Sequence, residues 1–278
     1  MDKEIVKVTV VTVCRNAQDC IKSTIESVLE QKTNSYEYLI IDGASEDSTS
    51  DIAKEYADKF KELGIRYFVL SEPDSGIYNA MNKSLNFANG EWIIYLNAGD
   101  TFCGENSLNE FLGYDSSGKD VVYGDVLLLE NKHYKKAYVG SIEELTDRSP
   151  ICHQGVFVRT KLMREYKFDE SYHLAADYDF LLRLYKLGYT FEKTNLTVAV
   201  FLLGGESSKQ SIRYLKEMCK SREKNHLKDS QSVRIKEMRL KFYNIIRFLG
   251  RTVLRPIFYS EIRGWYSDKY KAAENDIK

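Results

Sequence analysis

YEYLIIDGASEDST, residues 36–49, is the stretch on which the fold turns. An apolar run closes on a carboxylate, Asp42, a glycine follows, and Asp47 and Ser48 stand where a helix N-cap is expected. A strand that ends in an acid and passes into a helix is half of a βαβ unit. Upstream, residues 8–14 form a β-branched run that reads as a buried strand, and residues 18–31 place Ile21, Ile25, Val28 and Leu29 at helical spacing. Downstream the same pattern predicts a helix over 47–63, a strand over 65–70, a helix over 75–88 and a strand over 91–97. Four strands alternating with three helices predict right-handed crossovers and a largely parallel sheet. Ligands in such sheets gather beyond the C-terminal ends of the strands, the edge on which Asp42 and residues 97–100 fall.

Beyond about residue 105 the alternation weakens. Residues 120–129 and 132–139 read as strands able to pair, 151–159 as a strand, 177–187 as a helix, and 190–203 as a last strand closed by Gly204 and Gly205. From residue 208 the chain reads as helices. Over 233–257 Phe242, Ile245, Ile246, Leu249, Val253 and Ile257 project to one side, with Lys241, Arg247, Arg251 and Arg255 on the other. The expected organisation is an α/β domain over 1–207, with a nucleotide-binding half (1–104) and an acceptor half (105–207). A helical, basic, amphipathic extension over 208–278 follows.

Composition narrows the function. With 43% hydrophobic residues among 278 the chain can fill a normal core, and a net charge of −1 excludes a whole-surface nucleic-acid binder. The basic charge is local: residues 209–255 carry fourteen Lys or Arg against four acids. Five cysteines, an odd number without a C-x-x-C pair, argue against a disulfide framework or zinc cluster and for a reducing compartment. No signal-peptide pattern opens the chain and no run of about 18 apolar residues occurs, so the expected location is cytoplasmic, with at most a peripheral position on the membrane's inner face.

Three aspartates are candidates for chemistry, each with two open readings. Asp42 suits an acceptor for a nucleobase N–H or ribose hydroxyl, or bonds its own turn. Asp100, delivered by Asn97-Ala98-Gly99 into a small-residue turn, suits one ligand of a hard divalent cation, or simply ends a strand. Asp177 stands in the first turn of a helix whose buried face is Leu181, Leu182, Leu184 and Leu187. There it serves the helix dipole or acts as a general base.

Their order and flanking segments carry a resemblance. VTVCRN (11–16), IIDGASEDST (40–49), EPDSGIYNAMNKS (72–84), GEWIIYLNAGD (90–100), HQGVFVR (153–159) and AADYDFLLRL (175–184) together resemble a family 2 glycosyltransferase of the GT-A fold, of the type that builds bacterial surface polysaccharides. The resemblance spans about residues 5–205. It implies an inverting, hexosyltransferase-type enzyme on a nucleotide-diphospho-sugar transferase fold. It places Thr12, Asn16, Asp42, Asp74, Asn82 and Lys83 at the donor, Asp100 at Mg²⁺ or Mn²⁺, and Asp177 as the base that deprotonates the acceptor hydroxyl. His153 would complete the metal shell or donate to the diphosphate.

Two departures stand out. Many members carry Asp-x-Asp-Asp where this chain has Asn97-Ala98-Gly99-Asp100, and Glu-Asp where it has Ala176-Asp177. The resulting expectation is transfer from a UDP-sugar to a saccharide or lipid-linked saccharide, with the basic tail on an anionic membrane surface and no nucleic-acid partner. The alternative is a non-catalytic sugar-nucleotide-binding or scaffold member that lost turnover through those departures.

Overall fold

Strands β1 (Val8–Cys14) and β2 (Tyr36–Asp42) pair in parallel from Val8 opposite Tyr36 to Cys14 opposite Asp42, so the two chains leave the sheet side by side. The computed structural model describes residues 6–130, 132–203 and 212–227. β3 (Arg66–Ser71) adds to β2 in parallel and β4 (Trp92–Tyr95) adds to β1 in parallel. Helices α1 (Ile21–Leu29), α2 (Thr49–Glu55), α3 (Ala57–Glu62) and α4 (Ile77–Ser84) make the crossovers. The parallel first half is as the alternation predicts.

The sheet then continues through a reversed strand. After β5 (Thr101–Phe102) and α5 (Ser107–Leu112) come β6 (Val121–Glu130), β7 (His133–Lys136), β8 (Val156–Arg159), α6 (Thr160–Tyr166), α7 (Ala176–Lys186), β9 (Phe191–Leu202) and α8 (Ile212–Lys224). The spatial order is β3-β2-β1-β4-β8-β6-β9-β5, with β7 paired to β6. β8 runs antiparallel to both β4 and β6, β9 runs parallel to β6, and β5 and β7 are short antiparallel additions. This is the GT-A form of a mixed, mostly parallel sheet.

Burial follows from the two-residue period of a strand covered on both faces. Val11, Val13, Leu39 and Ile41 point into one apolar cluster, with Met81, Tyr95, Phe168 and Leu182. Val8, Val10, Tyr38 and Ile40 point into the other, with Ile25, Phe60, Trp92 and Phe111. All seven residues of β1 and of β2 are buried.

Several boundaries differ from the periodicity. The helix expected over 47–63 breaks at Tyr56, whose N–H turns back to the Ala53 carbonyl at 3.3 Å while its hydroxyl bonds Glu26 at 2.9 Å. The strand expected over 151–159 opens instead with a 3-10 turn, His153–Gly155. Gly155 packs directly on β6, where a Cβ would stand 2.8 Å from the Gly124 carbonyl oxygen. Of the strand expected over 132–139 only β7 pairs, and α5 and α6 are too short to show a period.

The described residues form one compact unit, and α8 belongs to it. The glycines at 204 and 205 and the amphipathic tail over 233–257 lie outside the described residues. Among the described residues no helix is long and apolar enough to cross a membrane.

Candidate active site

The turns that follow β1, β2 and β3 are laced together at the sheet edge. Asp42 is completely buried; its carboxylate accepts the Ser45 N–H at 3.1 Å and the Ser71 hydroxyl at 2.6 Å, with the Ser45 hydroxyl on its other oxygen. Asn16, left-handed at φ 49°, donates its N–H to Ser45 Oγ (2.8 Å) and accepts the Glu46 N–H through Oδ1 (2.9 Å). Gly43 leaves room for the Asp74 carboxylate, since a Cβ there would meet Asp74 Oδ2 unless that side chain turned away. The other Asp74 oxygen accepts the Gly76 N–H at 2.8 Å. The structure thus gathers Asn16, Asp42 and Asp74 around one glycine. Asp42 spends its oxygens on the turn, whereas Asn16 is exposed and Asp74 half-buried at the rim.

The other three residues expected at the donor are engaged in the frame. Thr12 is buried, donating to the Leu96 carbonyl (2.7 Å) and sharing a hydrogen bond with the Tyr38 hydroxyl (2.8 Å). Asn82 ties α4 to the segment before α7: Oδ1 accepts the Phe168 N–H at 3.0 Å, and Nδ2 donates to the Phe168 carbonyl and to Glu170, each at 2.9 Å. Lys83 donates to the Pro73 carbonyl at 2.6 Å and pairs with Glu72 at 2.7 Å.

A second cluster joins the end of β4, the turn before β8 and the start of α7. Asp100 is buried; one oxygen accepts Gln154 Nε2 and the other the Leu202 N–H, both at 3.1 Å. Burial pushes its carboxyl up to about 6, against the opposing pull of the His153 charge and these hydrogen bonds. His153 spans the cluster, with Nδ1 3.3 Å from Asp177 Oδ2 and Nε2 3.2 Å from Asn97 Nδ2. Burial acts to lower the imidazole pKa, but the hydrogen bond and charge of Asp177, with the charge of Asp100, outweigh it and raise it. Asp177 Oδ1 accepts the Tyr178 N–H at 2.8 Å and the Tyr78 hydroxyl at 3.3 Å. The His153 and Asp177 side chains are 20% and 23% exposed, so both reach solvent where Asp42 does not.

The donor set can be tested against a divalent cation. Among the described residues no three His, Cys, Asp or Glu side chains converge into a complete cage. Each Asp100 oxygen accepts one hydrogen bond and keeps a second lone pair. Asn97 Oδ1, three residues away on the same turn, is buried without any partner. Two hard oxygen donors on one turn fit Mg²⁺ or Mn²⁺ that draws the rest of its shell from a diphosphate and water. Both His153 nitrogens already have partners, so ligation by His153 requires Asn97 to turn away. Asn97, Gln154 and Tyr78 were not among the candidates from sequence. Each is signalled only by its place in a quoted segment: Gln154 in HQGVFVR, Tyr78 in EPDSGIYNAMNKS, and Asn97 at the start of Asn97-Ala98-Gly99-Asp100.

Fold and edge together define the class: a GT-A sheet with carboxylates at the C-terminal ends of β2 and β4 and at the start of the helix facing them. The model for Glycosyl transferase family 2 matches residues 9–170, more than half of the chain, and the chain belongs to that family. It is 29% identical over 174 residues, 61% of its own length, to a PGL/p-HBAD biosynthesis glycosyltransferase of Mycobacterium tuberculosis, and spans 66% of the length of that relative. Among solved structures it resembles S. aureus TarS 1-349 in complex with UDP-GlcNAc, at TM-score 0.63 and 16% identity, covering 77% of this chain and 66% of that one. It also resembles the mannosyltransferase PcManGT from Pyrobaculum calidifontis in complex with GDP-Man and Mn²⁺, at TM-score 0.63 and 15% identity, covering 97% and 82%.

Proposed function

We propose that this protein is an inverting glycosyltransferase that moves a sugar from a UDP-sugar to a hydroxyl of a saccharide or lipid-linked saccharide in surface-polysaccharide assembly. One observation carries the reading: the solvent-reaching Asp177 carboxylate is bridged by His153 to the turn that ends in Asp100. In-line displacement at an anomeric carbon needs a base on the acceptor side and stabilisation of the leaving diphosphate on the other, and this arrangement offers a candidate for each. Relatives support the reading: one is a PGL/p-HBAD biosynthesis glycosyltransferase, and two proteins of similar fold hold UDP-GlcNAc and GDP-Man.

In this reading Asn16 and Asp74 meet the nucleoside at the rim, and Asp42 and Thr12 keep the strand ends that shape it. Asn82 and Lys83 hold α4 against the donor side. Asp177 takes the proton from the acceptor hydroxyl as that oxygen attacks the sugar carbon, and the Tyr78 phenol and His153 Nδ1 keep its carboxylate oriented. Burial and the nearby Asp177 charge hold the Tyr78 phenol well above its usual range, so it stays a hydrogen-bond donor. Asp100 and Asn97, with His153 as a further candidate, would hold Mg²⁺ or Mn²⁺, which neutralises charge on the departing diphosphate when bound. The two half-lost acid pairs leave one carboxylate on each side of the reaction, and one is sufficient when substrate phosphates complete the shell.

Thermal shift against a panel of sugar nucleotides with Mn²⁺, followed by assay of UDP release, tests the reading. Stabilisation by UDP-sugars with slow UDP release is expected; binding without any release would identify the scaffold alternative. The basic tail is proposed to lie on the inner face of the cytoplasmic membrane. Sedimentation with anionic liposomes checks this, since equal recovery of chains with and without residues 233–278 would remove the membrane role.

A further inference from the structure

Helix α7 begins without a cap of its own. Its N-cap position is Ala175, which makes no side-chain capping bond and is preceded by Leu174 and His173. An N-cap side chain would accept an N–H of the first helical turn, and alanine supplies none; Asp177 Oδ1 takes the Tyr178 N–H instead. The segment that leads into the helix is held from another helix. Glu217 of α8 places a single oxygen, Oε2, on three successive backbone N–H groups: His173 at 3.0 Å, Leu174 at 2.8 Å and Ala175 at 3.1 Å. Its second oxygen is steadied by Arg213 Nε at 3.1 Å and faces His173 Nδ1 at 3.9 Å.

The same helix grips α7 one turn later. Ser221, four residues on and on the same face, donates to Asp179 at 2.7 Å, and both side chains are fully buried. Lys224 pairs with Asp169 at 2.7 Å, and the Lys220 ammonium lies 4.8 Å from the centre of the Tyr172 ring. Asp177 sits between the two principal grips, two residues after the last capped N–H and two before Asp179.

We infer that Glu217 is a positioning residue for Asp177: the carboxylate missing beside the base at Ala176 has a counterpart delivered from α8, which holds the helix start through its backbone. The inference rests on the proposed role of Asp177 as base. A charged acceptor on three aligned N–H groups gives short-range, directional anchoring, and it complements the positive end of α7. It also makes α8 part of the catalytic apparatus rather than an appendage. Anything that moves α8 moves the base.

Three variants decide the point, each assayed for kcat, donor KM, UDP affinity by calorimetry and amide hydrogen exchange. Glu217→Ala is expected to lower kcat by about 10- to 100-fold, as small misplacements of a reacting group do, with UDP affinity unchanged and protection lost at the amides of 173–175. Glu217→Gln keeps an acceptor oxygen in place, and should recover most of that kcat and that protection. A purely structural role would lower the folded fraction while leaving kcat per folded molecule intact, and that result overturns the inference. Should the alanine variant fail to fold, the glutamine variant still decides: a parallel shortfall in protection at 173–175 and in kcat, with UDP affinity unchanged, supports positioning, and lost protection with normal kcat, or full protection with lowered kcat, overturns it. Asp177→Asn run in parallel separates the two ideas. An inactive Asp177→Asn beside a fully active Glu217→Ala refutes positioning alone, whereas an active Asp177→Asn removes the base reading on which positioning depends.

Discussion

The neighbourhoods of Asp42 and Asp177 answer the same question in opposite ways. Asp42 is sealed, and every partner it has lies in its own turn or on the adjoining strands β1 and β3. Asp177 keeps an open face, and two of its partners, Tyr78 and His153, come from distant parts of the chain. A carboxylate satisfied by nearby groups stabilises a turn. One held at its back by distant groups, with its front open, is free to exchange a proton. The difference teaches that an acid at a strand end and an acid at a helix start, equally prominent in sequence, can be folded into opposite surroundings, one sealed and one open.

The sharpest way to break this contrast is Asp177→Asn. Removing the base should lower kcat by about 10²- to 10⁴-fold with donor affinity within about twofold, measured by UDP release and calorimetry. Normal turnover would put Asp177 in the same structural category as Asp42. Next in size is the metal: saturating Mn²⁺ with UDP should stabilise the protein by about 2.7 kcal/mol at a hundred times Kd, and Asp100→Asn should abolish that shift in thermal denaturation. An undiminished shift would move the metal away from this turn.

Asp42→Ala probes the sealed side. It leaves the donors of Ser45 and Ser71 without their acceptor, which should cost about 1–3 kcal/mol in denaturant unfolding and weaken UDP binding through the loosened rim. Unchanged stability with lost UDP binding would show direct contact with the nucleoside instead. The smallest effect concerns Glu37, buried on β2. Burial acts to raise its pKa, but the Thr9 hydroxyl, the Asn89 amides and Arg66 outweigh it and hold the carboxyl below its usual value. Its folded pKa is depressed, so its contribution to stability is present above about pH 4.5 and is lost as pH falls through the lower folded value. Glu37→Gln should lower stability at neutral pH, where that contribution is present, and flatten the acid limb of the stability–pH curve measured by denaturant unfolding.

Much of this was legible before any coordinates. The first four strands and the edge bearing Asp42 and Asp100 follow from the alternation of apolar periods, because each unit is local and its pattern repeats. Strand β8 was legible within 151–159, but not its later start or its reversed direction, which pairing across the sheet decides; the short helices α5 and α6 were not legible, since six- or seven-residue helices are too brief for periodicity to register. At the site, the residue types and their order marked the candidates. Which of them are sealed and which are open depends on contacts across the sheet.

Residue order by itself therefore determined the family, the parallel half of the sheet and the three aspartates, because short-range patterning and turn chemistry are written in neighbouring residues. Only the tertiary structure decided that Asp42 is engaged by Ser71, that His153 links Asn97 to Asp177, and that Glu217 holds the segment leading into the helix of Asp177 from 42 residues away. Those pairings join segments far apart in the chain. Hydrogen bonds of this kind exist only once packing has closed the intervening loops, and no local pattern announces them.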